Sequence, residues 1–544
     1  MTASGAPRAT VADVAIVGYG PVGQVLATLL ASRGHRVCVI ERYAQLYPLP
    51  RAFRFDGEVM RILQRLGVVD ELRDELVAAD HVAWFGADGR PTVEVDASSP
   101  DVSGWHRNYL FYQPSLERAL DRAARAQPTL DLRRGWICEG LAQHDDRVEL
   151  TIRHGSEPTL GHWEPGDETE TVVARYVVGA DGAHSFVREA AGIGHVDLGF
   201  SEDWLVVDVR PHDLARFDHL PDAAQYGDPS RPHIVVRNGT RHLRWEFMLL
   251  DGEDRATYAS DPSLAWRLVR DQITPDDGEL VRQTVYRFRG LVTQTMRAGR
   301  ALLAGDAAHE MPPFLGEGLC SGLRDADNLA WRLDLILRGV AGDDLLDTYT
   351  SERRHQNEAA IGLSMATGKL TSTLDPKRAA ARDATFRSGA MPPPRELPGI
   401  GRHGCVVRSL WSDRLAGERA VQGVVEVDGR TGRLGDVVGH GFLLLLAEGD
   451  PRQLVAPRLL EFVTDELGGA AVSLDPSVTG GMRDADGALT TWMRDSGVAA
   501  VLIRPDTYIF GSSREPAGAG ELVEALRRAI NAPATAAPRR RRAA

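Results

Sequence analysis

A chain of 544 residues with 43% hydrophobic and 26% charged residues has a globular composition and is long enough for two or three domains of roughly 100 to 200 residues each. Its 63 basic and 76 acidic residues leave a net charge of -13, which disfavours bulk attraction to nucleic acid or an anionic membrane and points to small-molecule partners. The four cysteines, Cys38, Cys138, Cys320 and Cys405, lack C-x-x-C spacing, so neither a zinc site nor a redox dithiol is indicated; no metal is expected.

The first unit runs from Asp13 to Arg42 as an apolar run, a glycine turn, a helical pattern and a second apolar run, which is a β-α-β unit. Val22, Leu26, Leu29 and Leu30 share one helix face, and Gly34 is placed to end that helix. A Pro/Arg-rich loop (Tyr47 to Arg54) is followed by a helix from Gly57 to Leu66 and another from Pro114 to Ala126. Strands are then expected around Leu130 to Arg134, Val148 to Arg153 and Ala174 to Val178.

From Glu202 to Leu291 the texture is strand-like (Trp204 to Val209, Ile234 to Arg237, Leu243 to Leu250), with Asn238-Gly239 as a tight turn. A strand at Ala301 to Ala304 and a long helix from Gly318 to Leu337 return to the first domain. The Pro/Arg/Ser/Ala-rich stretch 371–399 reads as a linker. A last domain follows, with strands at Phe442 to Leu446 and Ala499 to Ile503 and helices at Val455 to Leu467 and Glu521 to Ile530. The Ala/Pro-rich end, 532–544, with its run Arg539 to Arg542, reads as a disordered tail.

Gly18-Tyr19-Gly20-Pro21-Val22-Gly23 is a G-x-G-x-x-G turn between strand and helix, with Glu41 and Arg42 at the end of the next strand. Gly18 permits the tight turn, Gly20 lets a pyrophosphate approach the backbone, and Gly23 allows close helix packing. Glu41 is positioned to accept from a ribose hydroxyl. The motif by itself does not choose between NAD and FAD. Two further segments do, Gly179-Ala180-Asp181-Gly182 and Gly305-Asp306-Ala307-Ala308-His309, the latter followed by Pro312-Pro313 and Gly316-Glu317-Gly318-Leu319.

With these three segments the sequence resembles the group A flavoprotein aromatic hydroxylases, most closely the 3-(3-hydroxyphenyl)propionate hydroxylases. That resemblance is carried also by Glu310-Met311-Pro312-Pro313-Phe314, Ser321-Gly322-Leu323-Arg324-Asp325-Ala326 and Arg244-Trp245-Glu246-Phe247-Met248. It implies an α/β architecture: a discontinuous Rossmann-like FAD-binding domain (1–200 and 291–370), a sheet-rich substrate domain inserted at 201–290, and a thioredoxin-like domain lacking C-x-x-C at 400–531.

The resemblance also assigns residues. Asp306 is expected on the FAD ribityl chain and Asp181 near the pyrophosphate. Arg51 of Pro50-Arg51-Ala52 and Gln113 are expected beside the flavin, and Gly305, Pro313, Gly316, Gly318 and Leu319 around its ring. Asp56 is expected near the substrate hydroxyl as a deprotonating group, with capping of the helix at Gly57 as the alternative reading. Arg51 is the second catalytic candidate. Arg244, Glu246, Tyr286 and Pro313 are pocket candidates, although half the side chains of a strand face away from any one site.

The expected activity is hydroxylation of a phenolic ring by FAD, NADH or NADPH and dioxygen through a flavin C4a-hydroperoxide. The substrates implied are 3-(3-hydroxyphenyl)propionate or 3-hydroxycinnamate. Tailoring of a polycyclic polyketide or antibiotic, or flavin-dependent reduction without oxygen insertion, are the alternatives. No signal-peptide core or membrane span is seen, so a cytoplasmic enzyme, a homodimer without nucleic-acid or membrane partners, is expected.

Overall fold

The computed structural model describes residues 9–159, 162–390, 397–401 and 415–531. The chain divides into two compact units, the first holding residues up to 101, 105–326 and 357–397, the second 102–104, 327–356 and 398 onward.

In the first unit a buried sheet has the order Arg297–Ala298, Ala301–Leu303, His162–Gly179, Ala9–Val17, Val37–Glu41, Leu130–Arg134. The four pairings from Ala301–Leu303 to Leu130–Arg134 are parallel. Parallel strands covered on both faces need continuous apolar runs, and Val14, Ala15 and Ile16 are wholly buried. Register brings Val17 opposite both Gly179 and Ile40, and Gly179 opposite Leu303. The three glycine-containing loops therefore leave the carboxyl ends of neighbouring strands, the crevice where open α/β sheets bind ligands.

The second sheet has eight strands in the order His309–Glu310, Gly278–Thr293, His195–Pro211, His242–Met248, His233–Asn238, Ala223–Tyr226, His81–Phe85, Pro91–Asp96. It is not the self-contained 201–290 insert expected from the sequence. The two strands at one end of it come from the first hundred residues: Ala223–Tyr226 pairs in parallel with His81–Phe85, which pairs with the edge strand Pro91–Asp96. Alternation gives the sheet two faces. Leu205, Val207, Val209, Trp245 and Phe247 pack in one apolar cluster with Ala265 and Val269 of the helix Pro262–Val269. Val206, Asp208, Arg244 and Glu246 point the other way.

The expected linker is a second departure. Pro376–Arg387 is a helix, started by Asp375, whose carboxylate accepts from Lys377 N and Arg378 N, and by proline at its first position. Asp383 on this helix accepts from Ala87 N at 2.7 Å, and Arg382 donates to Gly227 O. Pro392-Pro393-Pro394 lies outside the described residues, as do Cys405 and the expected tail.

The second unit contains a four-stranded sheet ordered Ala470–Ser473, Leu443–Leu446, Ala500–Ile503, Ile509–Ser513. The first pairing is parallel and the next two antiparallel. The expected start near residue 400 is too late: residues 327–356 also group here. The reason is a buried ionic cluster. Glu352 pairs with Arg332 at 2.7 Å and Arg504 at 2.8 Å, while Asp506 accepts from Asn328 at 2.9 Å and Trp331 Nε1 at 3.1 Å. Among the described residues no helix is long and apolar enough to cross a membrane.

Candidate active site

The glycine turn is built for a close approach. Gly18 has φ +101°, and a Cβ there would lie 2.3 Å from Ala180 O; at Gly23 it would lie 2.1 Å from Gly18 O. At Gly20 a Cβ would meet nothing within 4 Å, so that face of the turn is open. Pro21 begins the helix Pro21–Ala31, whose first amides are free to meet an anion. Val22 packs under the third loop, 3.0 Å from where a Cβ of Gly305 would stand. Glu41 accepts from Tyr19 N at 2.7 Å and Tyr43 N at 2.8 Å, one bond on each carboxylate oxygen, which orients it with lone pairs to spare. Arg42 is exposed, its guanidinium 4.8 Å from the Tyr43 ring.

Asp181 accepts from Val187 N at 3.2 Å through Oδ2, whereas its buried Oδ1 has no hydrogen-bond partner among the described residues. Burial pushes this carboxyl above the usual range, against hydrogen bonds from Ser185 and Val187. Asp306 is accessible to solvent yet ringed by protein; burial pushes it up, opposed by His309 and Arg51. The loop carrying it is pinned by Asp325, which accepts from Gly305 N at 3.0 Å and contacts His309 Nε2 at 2.7 Å. These residues fit a flavin dinucleotide: an open glycine cradle, an oriented ribose acceptor, and two carboxylates with acceptor capacity left over.

Beside the crevice lies a cavity of about 130 Å³. The strap Arg51, Ala52 and Phe53 forms one wall; Val206, Arg244, Glu246, Tyr286 and Phe288 of the second sheet form another. Met311, Pro313, Gly316, Gly318 and Leu319 close it, the last two at the start of the helix Glu317–Leu337. Gly316 has φ +64° and ends the short turn Pro313–Leu315.

The strap is held by its backbone. Gln113 Oε1 accepts from Arg51 N at 3.1 Å and Ala52 N at 2.6 Å, and Glu117 in turn accepts from Gln113 Nε2 at 2.6 Å. Arg244 donates to Arg51 O at 2.5 Å and Pro50 O at 3.2 Å while pairing with Asp208 at 2.8 and 3.0 Å. Arg282 donates to Pro50 O and to the Tyr286 hydroxyl. Arg51's own guanidinium lies 4.2 Å from the Tyr47 ring.

The structure thus brings Arg51, Arg244, Glu246, Tyr286, Pro313, Gly316, Gly318 and Leu319 to one cavity, with Gln113 behind the strap. It does not bring Asp56 there. Asp56 caps the helix Gly57–Arg65, accepting from Val59 N at 3.0 Å, and pairs with Arg324, which also binds Glu58 at 2.8 Å and Glu317 at 3.0 Å. Its contacts are those of the alternative reading of the sequence, capping the helix, together with pairing to Arg324. Asp56, Glu317 and Cys320 do present ligand atoms within 4.8 Å of one another, but Arg54 and Arg324 already neutralise the carboxylates.

Sequence reasoning missed Asp208, Arg282, Glu117 and Asp325. Asp208, Arg282 and Asp325 act through partners distant in the chain, so no local spacing marks them, whereas Glu117 holds Gln113 from one helical turn away.

Residues 11–364 match the FAD binding domain family, and residues 417–529 match the HcaD C-terminal domain. The chain is 36% identical over 543 residues to a probable NADH-specific resorcinol 4-hydroxylase of Rhodococcus jostii (strain RHA1), covering 97% of this chain and 96% of the relative. It is 33% identical over 522 residues to a 3-(3-hydroxy-phenyl)propionate/3-hydroxycinnamic acid hydroxylase of Burkholderia cenocepacia (strain HI2424), covering 91% and 93%.

Among solved structures, the flavin-dependent monooxygenase PieE in complex with FAD and substrate superposes with a TM-score of 0.77 at 22% identity, over 96% of this chain and 100% of that one. Aklavinone-11 hydroxylase with FAD and aklavinone gives 0.75 at 25% identity, over 95% and 99%. The motifs, the cradle they form and these matches agree: the chain belongs to the FAD-dependent aromatic hydroxylases of the FAD binding domain family.

Proposed function

We propose that the protein hydroxylates a single-ring phenol at the expense of NADH and dioxygen, with a dihydroxybenzene such as resorcinol as the fitting substrate. The observation that carries this reading is the cavity: about 130 Å³, walled by Phe53, Val206, Phe288, Met311 and Pro313 beside the polar Arg51, Arg244, Glu246 and Tyr286. An apolar cavity of about 150 Å³ holds benzene. One ring with small substituents suits this volume better than a polycyclic skeleton. The resorcinol hydroxylase among the relatives, NADH-specific by name, supports the choice of ring and reductant.

FAD, when bound, supplies hydride acceptance from the nicotinamide and activation of dioxygen. The chain supplies the rest. Gly18, Gly20, Gly23 and the first amides of the helix Pro21–Ala31 would hold the diphosphate, Glu41 a ribose, and Asp306, with Asp181, the ribityl hydroxyls. The first residues of the helix Glu317–Leu337, Gly318 and Leu319, would offer positive potential to a reduced flavin. Arg51, on a strap clamped by Gln113, Arg244 and Arg282, would stand beside it. The aromatic and aliphatic walls exclude water from the reacting oxygen.

Arg51 favours a second reading. Among the described residues its guanidinium pairs with no carboxylate and lies against the Tyr47 ring, which suits a phenol bearing a carboxylate side chain, as in 3-(3-hydroxyphenyl)propionate. The sheet order of the second unit supports the thioredoxin-like reading of its strands, and the net charge of -13 supports a soluble cytoplasmic setting without nucleic-acid partners.

The test is oxygen uptake by the purified holoenzyme with NADH, with and without resorcinol or 3-(3-hydroxyphenyl)propionate, followed by catalase. Stimulation by resorcinol with little oxygen returned is expected. Stimulation only by the carboxylate substrate would favour the second reading, and no stimulation by any single-ring phenol would overturn both.

A further inference from the structure

The cavity wall carries four polar side chains, Arg51, Arg244, Glu246 and Tyr286. The two arginines stay protonated and cannot take up a proton. Tyr286 already accepts from Arg282, which leaves its hydroxyl a donor. Glu246 differs. It is 2% exposed, paired across the sheet with Val206 and Ile234, and 3.7 Å from Arg244 Nη1, too far for a hydrogen bond. Its Oε2 has no hydrogen-bond partner among the described residues. A buried carboxylate oxygen without a donor is costly, and Glu246 is among the residues that line the cavity, where a ligand hydroxyl can supply one.

We propose that Glu246 is the base that takes the proton of the substrate's ring hydroxyl. The O–H bond breaks, its electron pair stays on the ring oxygen as phenolate, and the proton bonds to Glu246 Oε2. No oxidant or reductant is consumed in this step. It moves one negative charge across the cavity without creating another, so Arg244 faces the same total charge before and after. The phenolate so formed directs electron density to the ring carbons ortho and para to it, where oxygen is inserted. This inference rests on the phenol reading of the substrate.

Burial is the largest influence on the proton affinity of Glu246 and raises it, and two neighbours also bear on it. Arg244, on its own strand, lowers it; Asp208, on the adjacent strand His195–Pro211, raises it, and together these push the carboxyl up to about 7. Arg51 on the strap and Tyr286 on Gly278–Thr293 are the other ionisable groups of the wall. A base poised near neutral pH is the kind that general-base catalysis favours.

The experiment compares wild type, Glu246→Gln and Glu246→Asp as FAD-loaded enzymes, measuring resorcinol-dependent NADH oxidation across pH. Wild type should show kcat/KM rising through an inflection near 7. Glu246→Gln should bind FAD as wild type does, lose about 10² to 10⁴-fold in kcat, lose that inflection, and recover rate only as resorcinol itself ionises. Glu246→Asp should keep an inflection at reduced rate. A Glu246→Gln enzyme within twofold of wild type, or one that is slow but retains the wild-type inflection, would overturn the assignment while leaving the phenol reading intact. Wild type that resorcinol fails to stimulate would instead remove the phenol reading on which the assignment stands.

Discussion

Glu117, Glu246 and Glu352 are all buried, yet their surroundings send them in different directions. Burial raises Glu117 to about 7 even though Gln113 donates to it, and raises Glu246 to about 7 beside Arg244. Burial also acts on Glu352, but Arg332 and Arg504 outweigh it and hold that carboxyl at about 2.

The sign for stability follows from proton counting. A carboxyl raised in the folded state keeps a proton that the unfolded chain gives up, so stability falls as pH rises from the ordinary carboxylate range through about 7, then levels off. Glu117→Gln keeps an acceptor for Gln113 and removes this penalty. It is expected to be more stable than wild type at pH 8 by on the order of 2 kcal/mol, with the gap closing near pH 4, read by urea unfolding at both values. Equal stability at pH 8 would mean that Arg51 and Arg134 already compensate the charge.

At the scale of elements, two arginines tie a loop to a sheet. Arg244 stands with both nitrogen edges engaged, on Asp208 and on the carbonyls of Pro50 and Arg51. Replacing it by methionine keeps much of the volume but leaves Asp208 buried with Asn238 as its remaining side-chain donor of that cluster. Arg244→Met is therefore expected to lower unfolding free energy by about 3–5 kcal/mol and to weaken FAD retention by loosening the strap. The double variant Asp208→Asn/Arg244→Met should recover part of the stability. Failure of the double variant to recover any would show that the strap contacts, not the buried charge, dominate.

Element boundaries were legible where the chain itself carries the stop signals. The helix starts expected at Gly57 and Pro114 fall within one residue of those observed, and Gly34 lies three residues past the end of the first helix at Ala31. The helix Pro376–Arg387 was hidden because its Ala/Arg-rich composition, read beside the following prolines, resembles a linker, although Asp375-Pro376 is a start signal.

At the scale of the whole molecule, the second unit depends on residues far from its sheet. Arg504 and Asp506 follow the strand Ala500–Ile503, but their partners Arg332, Asn328, Trp331 and Glu352 lie on the helices Glu317–Leu337 and Asp347–Thr371. A fragment of residues 415–531 is expected to be unstable or molten, because Arg504 and Asp506 would lose these partners. Near-ultraviolet circular dichroism and limited proteolysis of the fragment would check this. A fragment with cooperative unfolding and protease resistance would show that the cluster is dispensable to the sheet.

The sequence by itself marked the residues proposed to hold the cofactor, because tight turns and close approaches impose demands on single residues: glycine at 18 and 23, an acid at 41, aspartates at 181 and 306. These are local, and they read without knowing what lies across the crevice. Only the tertiary structure decided which of Asp56 and Glu246 lines the cavity. Both are acids that the chain places near strands or helix starts, and nothing in the spacing says which faces the cavity. The answer depends on Arg324, which reaches Asp56 from 268 positions away, and on the sheet face that carries Glu246 beside Arg244. Partners so distant in sequence leave no periodic trace, whereas burial and charge in the folded molecule make the difference plain.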